Sequence, residues 1–149
     1  ATLRRIVCRA RARGRRTVFT NGCFDLLHAG HVILLERAKR QGDLLVVGLN
    51  SDRSVRALKG SGRPLVPQHD RAQLLAALAS VDYVVIFNEP TPARIIEGLL
   101  PDVLIQGADW ASGAIVGAEA VRRAGGRVIR FPLVKGRSTS QLIARIRSR

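Results

Sequence analysis

Cysteine is nearly absent from this chain. Only Cys8 and Cys23 occur, too few for a disulfide framework, so a reducing cytoplasm is the expected compartment. Long apolar runs are missing as well. None approaches the roughly 18 residues that a membrane helix needs, and no secretory signal is visible, so no membrane partner is expected. Lysine is limited to Lys39, Lys59 and Lys135, and the aromatics are one Trp, one Tyr and four Phe. Acids are outnumbered, 11 against 25 basic residues, for a net charge of +14. That excess raises nucleic-acid binding as a rival function. Against it, the positive charge is nearly all arginine, spread along the chain and not interleaved with aromatics. A high-GC genome produces this bias, and an enzyme with two polyanionic substrates tolerates it, so no nucleic-acid partner is expected.

What is present suits one globular domain over residues 1–149. The length carries a proper core, and the 46% apolar fraction is ordinary for a folded protein. Residues 1–16 hold seven arginines and no acid. Leu3, Ile6, Val7 and Ala10 recur there at helical spacing, which predicts a short amphipathic helix leading into the first strand.

The chain is organised around Thr17-Val18-Phe19-Thr20-Asn21-Gly22-Cys23-Phe24-Asp25-Leu26-Leu27-His28-Ala29-Gly30-His31. It predicts a strand over Thr17 to Thr20, a turn from Asn21 to Asp25, and a helix carrying Leu27, Val32, Leu35 and Ala38 that ends at Gln41-Gly42. A strand running into a helix N-terminus leaves unpaired N–H groups that bind anions. His28 and His31 share one face of that first turn, with Gly30 between them permitting close approach of backbone or ligand. An isolated His-x-x-His pair is weak by itself. A tetrahedral zinc site would need further ligands, and the only other histidine is His69.

Beyond this motif the pattern alternates strand and helix. Asp43 to Leu49 reads as a buried parallel strand ending at Asn50-Ser51-Asp52, polar residues at a strand's carboxyl end, where open α/β sheets bind ligands. Leu58 to Pro64 follows as a loop offering Lys59 and Arg63 as anion clamps. Gln68 to Ser80 reads as a helix with Leu74, Leu75 and Leu78 inward and Arg71 near its start, and Asp82 to Phe87 as a strand. Thr91 and Pro92 read as N-cap and first helical residue of a short helix over Ala93 to Leu100. Val103 to Gln106 is a fourth strand, leading into Gly107-Ala108-Asp109-Trp110. A helix around Ala118 to Ala124 precedes a fifth strand, Arg127 to Phe131. The last helix begins at Ser138-Thr139-Ser140, a second cluster of hydroxyls at a helix N-terminus, with Lys135 and Arg137 beside it. The predicted architecture is a Rossmann-like α/β fold, one doubly wound parallel sheet of about five strands with flanking helices.

The string Gly22-Cys23-Phe24-Asp25-Leu26-Leu27-His28-Ala29-Gly30-His31 resembles the signature of the nucleotidyltransferase superfamily with the His-x-Gly-His motif. Asn21 to Asp25, Asn50-Ser51-Asp52, Leu58-Lys59-Gly60 with Arg63-Pro64, and Val81-Asp82 are similar to the heptose 1-phosphate adenylyltransferases within it, a unit that often follows a sugar-kinase domain and would here stand alone. Two departures bear on the base: Gln106-Gly107-Ala108-Asp109-Trp110 stands where those enzymes often have Lys-Gly-Gly-Asp-Tyr, a form closer to glycerol-phosphate cytidylyltransferases. Those cytidylyltransferases, however, carry an arginine where this chain has Leu133. The resemblance implies ATP and a heptose 1-phosphate as substrates, with ADP-heptose and pyrophosphate as products on the route to lipopolysaccharide core.

The resemblance also implies residue roles. Nucleotide contacts fall to Asn21, Gly22, Cys23, Phe24, His28, Gly30, His31, Gly107, Asp109, Trp110, Ser138, Thr139 and Ser140. The acceptor falls to Asp25, Asn50, Lys59, Arg63 and Arg71. His28, His31 and Lys59 are the expected catalytic residues. Mg²⁺ is expected with ATP, held by phosphate oxygens and water rather than by protein carboxylates. Family members are commonly dimers, so a homodimer is expected.

Overall fold

The computed structural model describes residues 2–107 and 113–149. In chain order the elements are α1 Thr2–Ala12, β1 Thr17–Gly22, α2 Ala29–Lys39, β2 Leu44–Asn50, α3 Asp52–Lys59 and α4 Gln68–Ala76. They continue with β3 Tyr83–Phe87, α5 Ala93–Leu99, β4 Val103–Gly107, α6 Ala118–Arg123, β5 Arg127–Phe131 and α7 Thr139–Arg147. The strands form one five-stranded, all-parallel sheet in the order β3-β2-β1-β4-β5. The fold is the Rossmann-like α/β class expected.

Strand alternation explains the two-sided core. On one face Val18, Leu45, Val47, Leu49, Val103 and Ile105 pack with Leu35 and Ala38 of α2 and Leu75 of α4. On the other, Phe19, Val46 and Leu104 meet Val7 of α1, Ile96 and Leu99 of α5 and Val121 of α6. Burying each large side chain of this kind contributes about 1.5–3 kcal/mol. Because β1 pairs with both β2 and β4, chain order reverses beside it. Ligands bind at such a switch point, outside the carboxyl ends of the strands. The histidine motif follows β1 directly.

Several local expectations need correction. The expected loop from Leu58 to Pro64 begins inside a helix: α3 runs over Asp52–Lys59, and Ser51 Oγ accepts from the Ser54 N–H at 3.1 Å and caps it. The strand before the motif extends through Asn21 and Gly22, which pair with Gly48 and Leu49. The helix after Pro67 ends at Ala76 rather than Ser80; Leu74 is 49% exposed, whereas Leu75 and, past the helix end, Leu78 pack on the core. Thr91 caps nothing. Pro92 takes the N-cap position of α5, and its carbonyl accepts from Ile95 and Ile96. Among the described residues no helix is long and apolar enough to cross a membrane.

Candidate active site

The site begins where β1 ends. Between β1 and α2 the backbone is strained: Phe24 has φ 46° and Leu26 φ 54°, a region that costs non-glycine residues about 1–3 kcal/mol and persists only when surroundings fix it. Asp25 supplies much of that fixing. Its buried carboxylate accepts from Arg63 Nε at 2.7 Å, Leu65 N at 2.9 Å and Val66 N at 2.9 Å. Its carbonyl accepts from Thr139 Oγ1 at 2.7 Å. Burial pushes the Asp25 pKa up, yet the Leu65 and Val66 N–H groups and Arg63 together outweigh it and hold the carboxyl below its ordinary value. One residue thus ties the turn to the loop after α3 and to the start of α7.

His28 and His31 sit differently from a pair on one regular turn. His28 is the extended N-cap of α2 (φ −136°, ψ 170°), and its Nδ1 accepts from the Gly30 N–H at 3.1 Å. His31, in the first turn, returns the favour: its Nδ1 accepts from the His28 N–H at 3.3 Å. The rings stack with centroids 3.8 Å apart, and Phe24 meets His31 edge-on at 5.2 Å. With both Nδ1 atoms accepting, each neutral ring carries its proton on Nε2. Burial, then the charge of Arg137, lowers the His28 pKa. Burial, His28 and Lys59 push His31 down to about 4. Near neutral pH both rings are therefore uncharged donors, suited to hydrogen-bonding anionic oxygen rather than to taking up protons.

The Gly30 position shows how tightly the second loop closes over this pair. A Cβ there would lie 2.9 Å from the His28 ring and 3.2 Å from the Arg137 carbonyl. Beside His28 a cavity of about 280 Å³ opens between the starts of α2 and α7, lined by His28, Arg137, Ser138, Gln141, Leu142 and Arg145 among others. Two helix N-termini and two guanidiniums converge there, a combination that favours a polyanion.

Not every residue expected to touch substrate is free to do so. Arg71 is 1% exposed, and its guanidinium donates to the carbonyls of Val66, Cys23 and Asn50 and to Asp52 Oδ1, at 2.6–2.9 Å. It braces the ends of β1 and β2 from inside. Asn50 is 4% exposed and donates to Ser54 Oγ, so it too is internal. The Asp25 carboxylate is consumed as described. Ser138 Oγ accepts from Gln141 N and caps α7, and Thr139 Oγ1 is bonded to Asp25, which leaves Ser140 with the uncommitted hydroxyl of the three. Burial raises the Cys23 thiol pKa despite Lys59, Arg71 and Arg63 nearby, so that side chain is a neutral thiol.

Others face the site. Lys59, exposed at the end of α3, is close enough for its charge to act on both Cys23 and His31. Arg63 Nη2 is buried without a protein partner among the described residues, although its Nε is bound to Asp25. Asn21, Gly22 and Gly107 lie at the carboxyl ends of β1 and β4. Asp109 and Trp110 lie outside the described residues. Gln141 and Arg145 were not singled out from sequence. Their signal was spacing: Ser138, Gln141, Leu142 and Arg145 fall three, four and seven apart, one face of a helix.

The cytidylyltransferase-like family matches residues 19–142, from the middle of β1 into α7, and so spans both anion cradles. The chain belongs to that family. Among curated relatives, the "Bifunctional protein HldE" of Mesorhizobium japonicum is 57% identical over 144 residues, covering 97% of this chain but 29% of that protein. The protein of the same name in Syntrophotalea carbinolica is 53% identical over 148 residues, covering 99% of this chain and 30% of that one. The chain therefore spans about three-tenths of the length of these relatives. A solved lipopolysaccharide core biosynthesis protein from Thermoplasma volcanium superposes with a TM-score of 0.68 at 26% identity, covering 83% of this chain and all of that one. Pantoate-beta-alanine ligase from Francisella tularensis, solved with beta-gamma ATP and beta-alanine, shares the fold at a TM-score of 0.60 and 15% identity over 92% of this chain and 67% of its own. As a cytidylyltransferase-like chain, this protein places its histidine motif at the sheet's switch point.

Proposed function

We propose that this chain transfers AMP from MgATP to a heptose 1-phosphate, giving ADP-heptose and pyrophosphate. The observation that carries the reading is the pair of stacked, neutral histidines capping α2 beside a cation-lined cavity. The identity to proteins named HldE and the similarity to a lipopolysaccharide core biosynthesis protein support the heptose acceptor.

The chemistry is a single displacement at the α-phosphorus. An oxygen of the acceptor phosphate forms the new bond, the bond from the α-phosphorus to the α–β bridging oxygen breaks, and pyrophosphate leaves with that electron pair. A phosphate monoester has its second pKa near ~6 and is already a dianion at neutral pH, so no protein base is required. Repulsion between two anions is the barrier, and positioning with charge stabilisation lowers it. His28 and His31 donate from Nε2 to the nucleotide phosphates. Lys59 and the free nitrogen of Arg63 draw in the acceptor phosphate. Arg137, Ser140 and Arg145 hold the β- and γ-phosphates that depart. Of the described carboxylates, Asp25 and Asp52 are bound to arginines. A divalent cation would enter with the nucleotide, held by phosphate oxygens and water.

The rival reading is CTP with glycerol 3-phosphate, favoured by the family's description and by the Gly-x-Asp-Trp form. The motifs at Lys59 to Pro64 and the leucine at 133 favour ATP. Matched assays of ATP and CTP against heptose 1-phosphate and glycerol 3-phosphate test the choice. ADP-heptose should form fastest; a cytidylyl product formed faster overturns the substrate assignment and leaves the displacement chemistry intact.

A further inference from the structure

A second cavity lies at the opposite end of the sheet. It encloses about 180 Å³ and is lined by Ile6, Arg9, Ala10, Arg13, Arg15, Leu44 and Tyr83. Leu44 and Tyr83 open β2 and β3, whereas the histidine site lies at the strands' carboxyl ends. At about 3.3 Å per residue, the seven residues of β2 separate the two by roughly 20 Å.

The local sequence explains why three arginines meet there. Arg9 and Arg13 are four residues apart and share a helix face. Helix α1 then stops in a Schellman turn: Gly14, at φ 70°, donates to the Arg11 carbonyl, and Arg15 N donates back to the Ala10 carbonyl at 3.0 Å. This reversal brings Arg15 to the same cavity. No acid lines it, and among the described residues no hydrogen bond or ion pair holds any of these three guanidiniums or the Tyr83 hydroxyl. Elsewhere in the fold arginines near carboxylates are paired, as Arg63 and Arg71 are. All three arginines are solvent-exposed, so water and salt weaken their mutual repulsion, and an anion among them relieves what remains. The lining offers donors at its polar groups and an apolar wall from Ile6, Ala10 and Leu44. At about 30 Å³ per water, the volume equals roughly six waters, enough for one phosphoryl group and below the ~300 Å³ at which pockets for whole drug-sized ligands begin.

We propose that this cavity is a second anion site, which takes a single phosphoryl dianion of a small phosphate or phosphate monoester, independently of the histidine site. Its recognition is Arg9, Arg13 and Arg15 as charge-assisted donors with Tyr83 at the wall.

Tyr83 is the only tyrosine in the chain, so ring-labelled tyrosine gives one NMR reporter inside the cavity. Inorganic phosphate is titrated into the full chain at fixed ionic strength, with and without ATP saturating the first site. The Tyr83 signals should shift saturably in both cases. The double variant Arg9→Gln/Arg13→Gln should weaken that response at least tenfold while adenylyl transfer at saturating substrates stays within twofold of wild type. The proposal is overturned if chloride at equal ionic strength gives the same shift, if the double variant titrates like wild type, if ATP abolishes the response, or if a single-stranded oligonucleotide shifts Tyr83 where phosphate does not.

Discussion

Replacing Asp25 by asparagine removes one charge from a carboxylate that joins two loops of the site. The side chain has no solvent exposure and serves three donors at 2.7–2.9 Å, one of them the Arg63 guanidinium. An amide oxygen keeps some of these bonds but not the ion pair. Hydrogen bonds to a charged group contribute about 1.5–3 kcal/mol each, and stranding one partner of a buried pair costs about 3–5 kcal/mol. Partial exposure of Arg63 places Asp25→Asn near the lower figure, about 3 kcal/mol. That is a large share of the roughly 5–15 kcal/mol that holds a domain together, and for a chain of this size it lowers Tm by about 6–12 °C. The pH dependence has a definite sign. A carboxyl whose folded-state pKa lies below its ordinary 3.8 stabilises the fold above the unfolded value, and that contribution fades as pH falls through the folded value. Thermal unfolding of wild type and variant should therefore differ most near pH 7 and converge only as pH falls through the folded value, which lies below 3.8. Because the Asp25 carboxylate also holds the loop bearing Arg63, KM for the acceptor should rise in the folded variant, whereas the Thr139 bond, made to the backbone carbonyl, survives. A Tm within about 2 °C of wild type at pH 7, or a gap unchanged in acid, refutes the latch.

Other consequences follow from the same geometry. His31 should show no proton uptake by NMR between pH 8 and about 5 and should titrate near 4. Since the unfolded chain takes up that proton first, stability falls as pH drops from about 6.5 to 4, a slope that His31→Ala should lessen. Gly30→Ala places a methyl against the His28 ring and the Arg137 carbonyl; turnover should drop at least about tenfold with little change in Tm, since alanine favours the helix by up to ~1 kcal/mol. Arg145→Ala, at an exposed position in the cavity, should raise KM for ATP several-fold and leave stability within about 0.5 kcal/mol of wild type in urea unfolding.

The strands were legible because a parallel sheet buried on both faces writes continuous apolar runs. Leu44–Asn50 and Val103–Gly107 sit within a residue of where the pattern puts them. The histidine motif was legible because strand, glycine turn and helix start are contiguous in sequence. Helix α3 escaped because Asp52–Lys59 is mostly polar and mostly exposed, with Val55 as its one buried large apolar residue, so it leaves no apolar stripe. The roles of Arg71, Asn50 and Asp25 escaped for a different reason. A charged or amide side chain near a phosphate site reads as a ligand, and only three-dimensional partners reveal that its donors or acceptors are already satisfied. The mutual capping of His28 and His31 is likewise invisible in sequence, since an i, i+3 pair implies a shared face and not which nitrogen is engaged.

His28 and His31 are the residues expected to donate to the reacting phosphates. Single-turnover measurement of pyrophosphate release by His28→Ala and His31→Ala, with unfolding followed on the same samples, tests that role most directly. Losing one transition-state donor costs about 100- to 1,000-fold in rate, and losing the associated cap costs only about 1 kcal/mol of stability. Each variant should therefore fold and release pyrophosphate at least about 100-fold more slowly than wild type. If both variants melt early while their folded fraction keeps full activity, the histidines are structural caps and the catalytic reading is contradicted.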